Sequence, residues 1–315
     1  MWQGFKKRVT SGGNCGLSIG DSRIALAHVQ RQKDGAMRLS AAAVERQAND
    51  DSWPGRLERQ ASGIQLGRTS LTSVLPNGSY QLVLVEVPNV AANEVKSAVR
   101  WQIKDLLDFP VDEAVIELFE MPELSTSSDQ KMAYAVATQR SRVQEHVELL
   151  HDAGLSLDVI DIPELCTRNI AALLPQDAGG VAFLHFADSH GTLTVTRQGV
   201  LYLIRQIEMG LAELDAVVRD DFARGELVSN IVLETQRSLD YYESHFNYGS
   251  VTELVLGPGS DMGGLADSLH ENLGLTISSL DLNGMFETQT ALSTAEQSDC
   301  LMAIGAALRI EPQAA

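Results

Sequence analysis

Two short stretches of this chain pair an apolar, strand-like run with a turn of small and oxygen-bearing residues, and they align without a gap. The first, Cys15 to Val29, turns at Gly20-Asp21-Ser22; the second, Ala182 to Thr196, turns at Ala187-Asp188-Ser189, with Gly191 close behind. Asp-Ser turns between apolar strands suit hairpins, and their backbone N–H groups can be aimed into one concavity. Two such turns, one in each half of the chain, could face each other across a cleft and cradle a polyphosphate.

Other chemistry finds little footing. His185 and His190 alternate along the second strand and turn, and no other His or Cys has zinc spacing to them, so His185 is expected to pack under its turn. Gly257-Pro258-Gly259 has no Gly-Lys-Ser/Thr after it and is not a Walker loop; no Gly-x-Ser-x-Gly or Ser/His/Asp arrangement is present. Cys15, Cys166 and Cys300 are far apart, which excludes a zinc ribbon or a CxxC redox motif and fits a reducing compartment.

The 315 residues suffice for two lobes, and a net charge of −18 argues against nucleic acid and against broad docking on anionic lipid. Nothing approaches the roughly 18 apolar residues of a spanning helix, and the basic start, with Trp2 and Phe5 beside Lys6, Lys7 and Arg8, lacks an apolar run behind it. It reads as a leader rather than an interfacial anchor, and the protein as cytoplasmic.

Strands are predicted near 14–20, 22–29 and 37–45, a helix near 53–65, and a strand over 81–87 that Pro88 ends. A helix over 91–107 follows, with Val95, Ala98, Val99, Ile103 and Leu106 on one apolar face at period 3.6. Trp101, beside Arg100 and Lys104, lies off that face and either packs on a second layer or awaits a partner. Strands at 114–120 and 134–137, a helix at 139–153 closed by Gly154, and a strand at 155–161 complete an α+β unit, after which Pro163 opens a helix. Leu174 to Gly180 is the best boundary. Beyond it lie the second hairpin, a strand at 200–207, helices near 211–221 and 228–246, a strand at 253–256, and helices near 262–273 and 297–309.

Several segments together resemble the PilM family of type IV pilus assembly proteins: Val87-Pro-Asn-Val90, Ala98 to Pro110, Tyr134-Ala-Val-Ala-Thr138, Val147 to Leu155, Val159 to Glu164, Glu234 to Glu243, Leu254 to Gly259 and Ala303 to Arg309. The resemblance covers nearly the whole chain. It implies an α/β, actin-like (ribonuclease H-like, duplicated) two-lobe fold with an inserted α+β subdomain. Residues 1–86 and 160–178 would form the first lobe, 87–159 the insertion, and 179–315 the second lobe, with a helical part at 211–250.

The resemblance also implies a nucleotide site from Gly20, Asp21, Ser22, Asp188, Ser189, Gly191, Gly257 and Gly259, with Asp161 and Glu164 placed to orient a water. The chain departs from the family where metal chemistry would sit. Ser18 and His185 stand where relatives carry Asp, and Ala25 where they carry Lys. Magnesium wants carboxylate oxygens beside phosphate, so these departures leave ATP and magnesium poorly supported and place the chain nearest the MshI branch, from mannose-sensitive haemagglutinin (MSHA) pilus assembly.

The expected function is a cytoplasmic scaffold at the inner face of the inner membrane, working beside the assembly motor. It would hold the N-terminal tail of a PilN-type inner-membrane protein in a groove that includes Trp101, Arg100 and Lys104. The alternative is an active actin-like ATPase whose nucleotide state switches partner binding in pilus or type II secretion assembly. A sugar or acetate kinase needs paired carboxylates and a base that the sequence does not offer.

Overall fold

A computed structural model describes residues 12–20, 22–46, 57, 69–122, 131–217, 219–246 and 248–310. The expected leader, Asp21, the loop at 125–129 and, apart from buried Leu57, the helix at 53–65 lie outside the described residues.

Three sheets organise the molecule. The first lobe is built on β1 (Asn14–Ile19), β2 (Arg23–Arg31), β3 (Met37–Arg46), β4 (Ser70–Val74) and β8 (Val159–Asp161), in the order β14-β3-β2-β1-β4-β8, where β14 is Glu287–Thr288. The second lobe uses β9 (Val181–Phe186), β10 (Gly191–Arg197), β11 (Val200–Ile207), β12 (Glu253–Leu256) and β13 (Thr276–Ser279), in the order β11-β10-β9-β12-β13. In both lobes two antiparallel hairpins are followed by a strand parallel to the first. The register repeats as well: Ser18 faces Ala25 as His185 faces Thr192. The duplication read in 15 residues therefore extends through the sheets. Every residue of β9 is buried, as a central strand covered on both faces requires.

The third sheet, β5-β7-β6, comprises β5 (Gln81–Glu86), β6 (Ala114–Glu120) and β7 (Met132–Gln139). One face packs Val83, Val85, Ile116 and Ala135 under the helix α1 (Val95–Gln102). Tyr134, from the other face, joins the second-lobe core that contains Tyr202 and Leu203. The insertion thus takes in β5, as an α+β unit over 81–161 would, and begins before the boundary expected at 87. The following helix, α2 (Arg140–Asp152), sends Leu150 into the first-lobe core beside Cys15 and Leu17, so it belongs there rather than with 87–159.

α1 is shorter than the periodicity suggested, because Asp105, Asp108 and Pro110 favour turns and Pro110 disfavours helix at the residue before it. Once the helix stops, Leu106 leaves the stripe and is exposed, while Leu107 turns into the core.

The remaining helices are α3 (Pro163–Ala171), α4 (Leu211–Ala216), α5 (Asp221–His245), α6 (Leu265–Leu273), α7 (Leu282–Met285) and α8 (Thr294–Ala307). α5 starts at 221 rather than 228 because the Asp220 carboxylate accepts from the N–H groups of Phe222 and Ala223. α8 starts at a capping box between Ser293 and Glu296. Assigned by sequence to the second lobe, α8 instead crosses to the first, against β1, β2 and α3. Two glycines let it approach: a Cβ on Gly16 would lie 1.9 Å from the Ala303 carbonyl oxygen, and one on Gly305 would lie 2.4 Å from that of Cys166.

Candidate functional site

The two repeated turns do meet. Each closes on itself in the same way, Gly20 N–H donating to the Arg23 carbonyl and Ala187 N–H to that of His190, both at 2.8 Å. Between them lies a cavity of about 200 Å³ lined by Ser18, Gly20, Asn77, Asp188, Ser189 and His190, among others. Of the expected nucleotide residues, Gly20, Asp188 and Ser189 line it, and Asp21 lies outside the described residues. Ser22 is at its margin, its hydroxyl 3.5 Å from Asp188 Oδ2.

Gly191 and Gly257 serve packing, whereas Gly259 adopts a positive φ of 74°. A Cβ on Gly191 would strike the Phe186 ring at 2.6 Å, and one on Gly257 would sit 2.9 Å from His185 Nδ1. Gly257 leaves room for His185, and neither it, Gly191 nor Gly259 lines the cavity. His185 is buried with Nδ1 unpartnered, and burial, then His190 and Arg23, bring it down to about 4. It is a neutral packing residue, as the sequence suggested. α4 begins beneath the second turn, but the N–H groups of Leu211 and Ala212 donate to the carbonyls of Ala187 and Asp188 at 2.8 and 3.0 Å. Those donors are spent inside the protein.

The cavity wall is dominated by a cluster that sequence reasoning missed. Arg23 reaches Asp188 on the opposite turn with one terminal nitrogen and Asp299 on α8 with the other. Arg46 adds a second cation to Asp299 at 2.5 Å. Burial opposes the charge on Arg23, but the two carboxylates outweigh it and raise its pKa; in return Arg23 holds Asp188 low. Nothing local announces this group, since Arg23 and Asp299 stand 276 residues apart.

Asp161 and Glu164 do not line the cavity. Asp161 is buried, ion-paired with Arg309 at 2.8 Å, and accepts from the Ile162 N–H. Glu164, its pKa raised by burial, accepts from Tyr80 Oη at 2.7 Å. Both carboxylates, expected to orient a water, are engaged with partners inside the protein.

Magnesium–nucleotide does not fit these residues. Ser18 and His185 offer no carboxylate, Asp188 and Asp299 are already bridged by arginines, and two carboxylates would face incoming phosphates. Among the described residues no cluster of three or more His, Cys, Asp or Glu is arranged to hold a metal ion. The cysteines are buried with raised thiol pKa values, so none is a poised nucleophile.

On the insertion, Trp101 is 63% exposed. Its neighbour Arg100, half-buried, donates to the carbonyls of Val111 at 2.5 Å and Ala114 at 3.1 Å. Lys104 is exposed, as are Leu84, Val90 and Leu106 on the same subdomain.

The model of the family described as type IV pilus assembly protein PilM matches residues 81–224. Among solved structures, the chain is similar to one of a PilM-PilN type IV pilus biogenesis complex, at 21% identity and TM-score 0.74, covering 95% of this chain and 99% of that one. The cytoplasmic domain of EpsL, an inner-membrane component of the type II secretion system of Vibrio cholerae, matches at 12% identity and TM-score 0.49, over 92% and 94% of the two chains. A Bacteroides thetaiotaomicron protein with an actin-like ATPase fold matches at 10% identity and TM-score 0.49, over 93% and 97%. No curated protein matches the chain. The architecture is the actin-like two-lobe fold with an inserted subdomain.

Proposed function

We propose that this PilM-like type IV pilus assembly protein is a scaffold that grips the N-terminal cytoplasmic tail of a PilN-type inner-membrane protein and turns over no ATP. The observation that carries the reading is Trp101: a large aromatic, 63% exposed, on a helix whose core stripe is already satisfied by Val95, Val99 and Ile103. Such a side chain, left in water, suits burial by a partner, since tryptophans often anchor interfaces. Among the described residues β5 and β6 are the edge strands of the three-stranded sheet, and adding a strand at such an edge is a usual way to hold an extended tail. Similarity to the PilM-PilN structure supports the identity of the partner. Among the described residues no helix is long and apolar enough to cross a membrane, and the partner would hold the chain at the inner membrane.

The arginine–carboxylate network that crosses the cleft supports the absence of turnover. The N–H groups of Gly20 and Ala187 close their own turns, those of Leu211 and Ala212 bond the second turn, and Arg23 is paired with Asp188 and Asp299. The test is a titration of a PilN-type N-terminal peptide against the wild type and Trp101→Ala. Weaker binding by a variant with unchanged circular dichroism is expected; equal affinity, or loss of the fold, would return Trp101 to a structural role.

A further inference from the structure

Four charges from four elements converge where the lobes meet. Arg23 opens β2, Arg46 ends β3, Asp299 lies on α8, and Asp188 belongs to the second-lobe turn. Asp299 is nearly buried, with a side chain 5% exposed, and is gripped by both arginines; Asp188 is 56% exposed and touches Arg23 alone of the two. The network is thus unequal. Asp299 fixes the guanidinium in place, and Asp188 docks on its free side, a use of the rigid arginine fork that lysine could not match.

We infer that Arg23 is a built-in cation that latches the two lobes, its guanidinium bridging Asp188 and Asp299 across the cleft. A second crossing reinforces the first, since Asn77 Nδ2 meets His190 Nε2. The loop carrying Asn77 is in turn tied to the insertion, because Thr138 Oγ1 on β7 donates to the Ser79 carbonyl at 2.6 Å. Closure of the cleft is therefore linked mechanically to the seat of the three-stranded sheet. The Asp188 bond is the one that opens, being the solvent-facing member of the network.

This follows from the cleft geometry and is independent of which partner the insertion binds. Salt should act on it directly, since the screening length shrinks from about 8 Å at physiological ionic strength to about 3 Å at 1 M. The test is amide hydrogen exchange of residues 75–80 and 187–190, with small-angle scattering alongside, on the whole protein. In the wild type, 1 M sodium chloride is expected to speed exchange in both segments and enlarge the particle. Asp188→Asn, at an exposed position the fold tolerates, should show roughly fivefold faster exchange at low salt and little further response to salt. Arg23→Gln should behave likewise. Wild-type exchange and size that ignore salt, or an Asp188→Asn variant indistinguishable from wild type, would overturn the latch.

Discussion

At the scale of single residues, the cleft is explained by what each side chain displaces. His185 fills the space beneath the second turn, and Gly257 is glycine because a Cβ would lie 2.9 Å from His185 Nδ1 and 3.1 Å from its Cβ. Gly257→Ala should therefore destabilise by about 1–3 kcal/mol, the usual cost of overpacking, measured by urea unfolding. In a His185→Ala background the penalty should largely vanish; equal costs in both backgrounds would separate the two residues. His185 also gives a sign to pH dependence. Its pKa is about 4 when folded and near 6.5 when unfolded, so between these values the unfolded chain binds the extra proton. Stability should fall as pH drops from about 6.5 to about 4, by up to ~3 kcal/mol from this group. Burial shifts His28 and His146 in the same direction. His185→Leu should flatten the His185 share of that slope; an unchanged slope would mean the imidazole is not buried neutral.

At the scale of elements, the C-terminal helix organises the first lobe. α8 lies against β1 at Gly16 and against α3 at Gly305, contacts too close for any side chain. Gly16→Val is expected to cost about 3 kcal/mol or more, because backbone rather than a flexible side chain must give way. Retained stability would show that α8 does not dock there. These contacts also mark what the sequence left hidden. The hairpins were legible because each is a continuous run with its own turn, and α5 because its apolar period is long. α8 was legible as a helix but not as a first-lobe element, since a glycine's role depends on which backbone approaches it. The two-residue strand β14 and the four-residue β13 are too short to carry a pattern, and residues 155–158 read as strand although only 159–161 pair. The early end of α1 is explained by Asp105, Asp108 and Pro110, whereas the apolar period of Val95, Val99 and Ile103 alone points to a longer helix.

At the scale of the molecule, two lobes with matching sheets frame a cleft that the chain bridges with its own charges, beside an insertion that keeps a tryptophan in water. The repeat made the facing turns legible, and Ser18 and His185 were legible as positions without a carboxylate. Arg23, Asp299 and Asn77 were not legible, because their roles exist only once segments far apart in sequence close on one another. Saturating magnesium–ATP is expected to leave the melting temperature unchanged, whereas a ligand at 100 times its dissociation constant would add about 2.7 kcal/mol. A shift that Gly20→Trp abolishes would restore the cleft as a nucleotide site. The most direct measurement is a calorimetric titration of a PilN-type N-terminal peptide, run with and without magnesium–ATP. The account expects binding with the same dissociation constant in both conditions. No binding, or an affinity that changes with nucleotide, would contradict it.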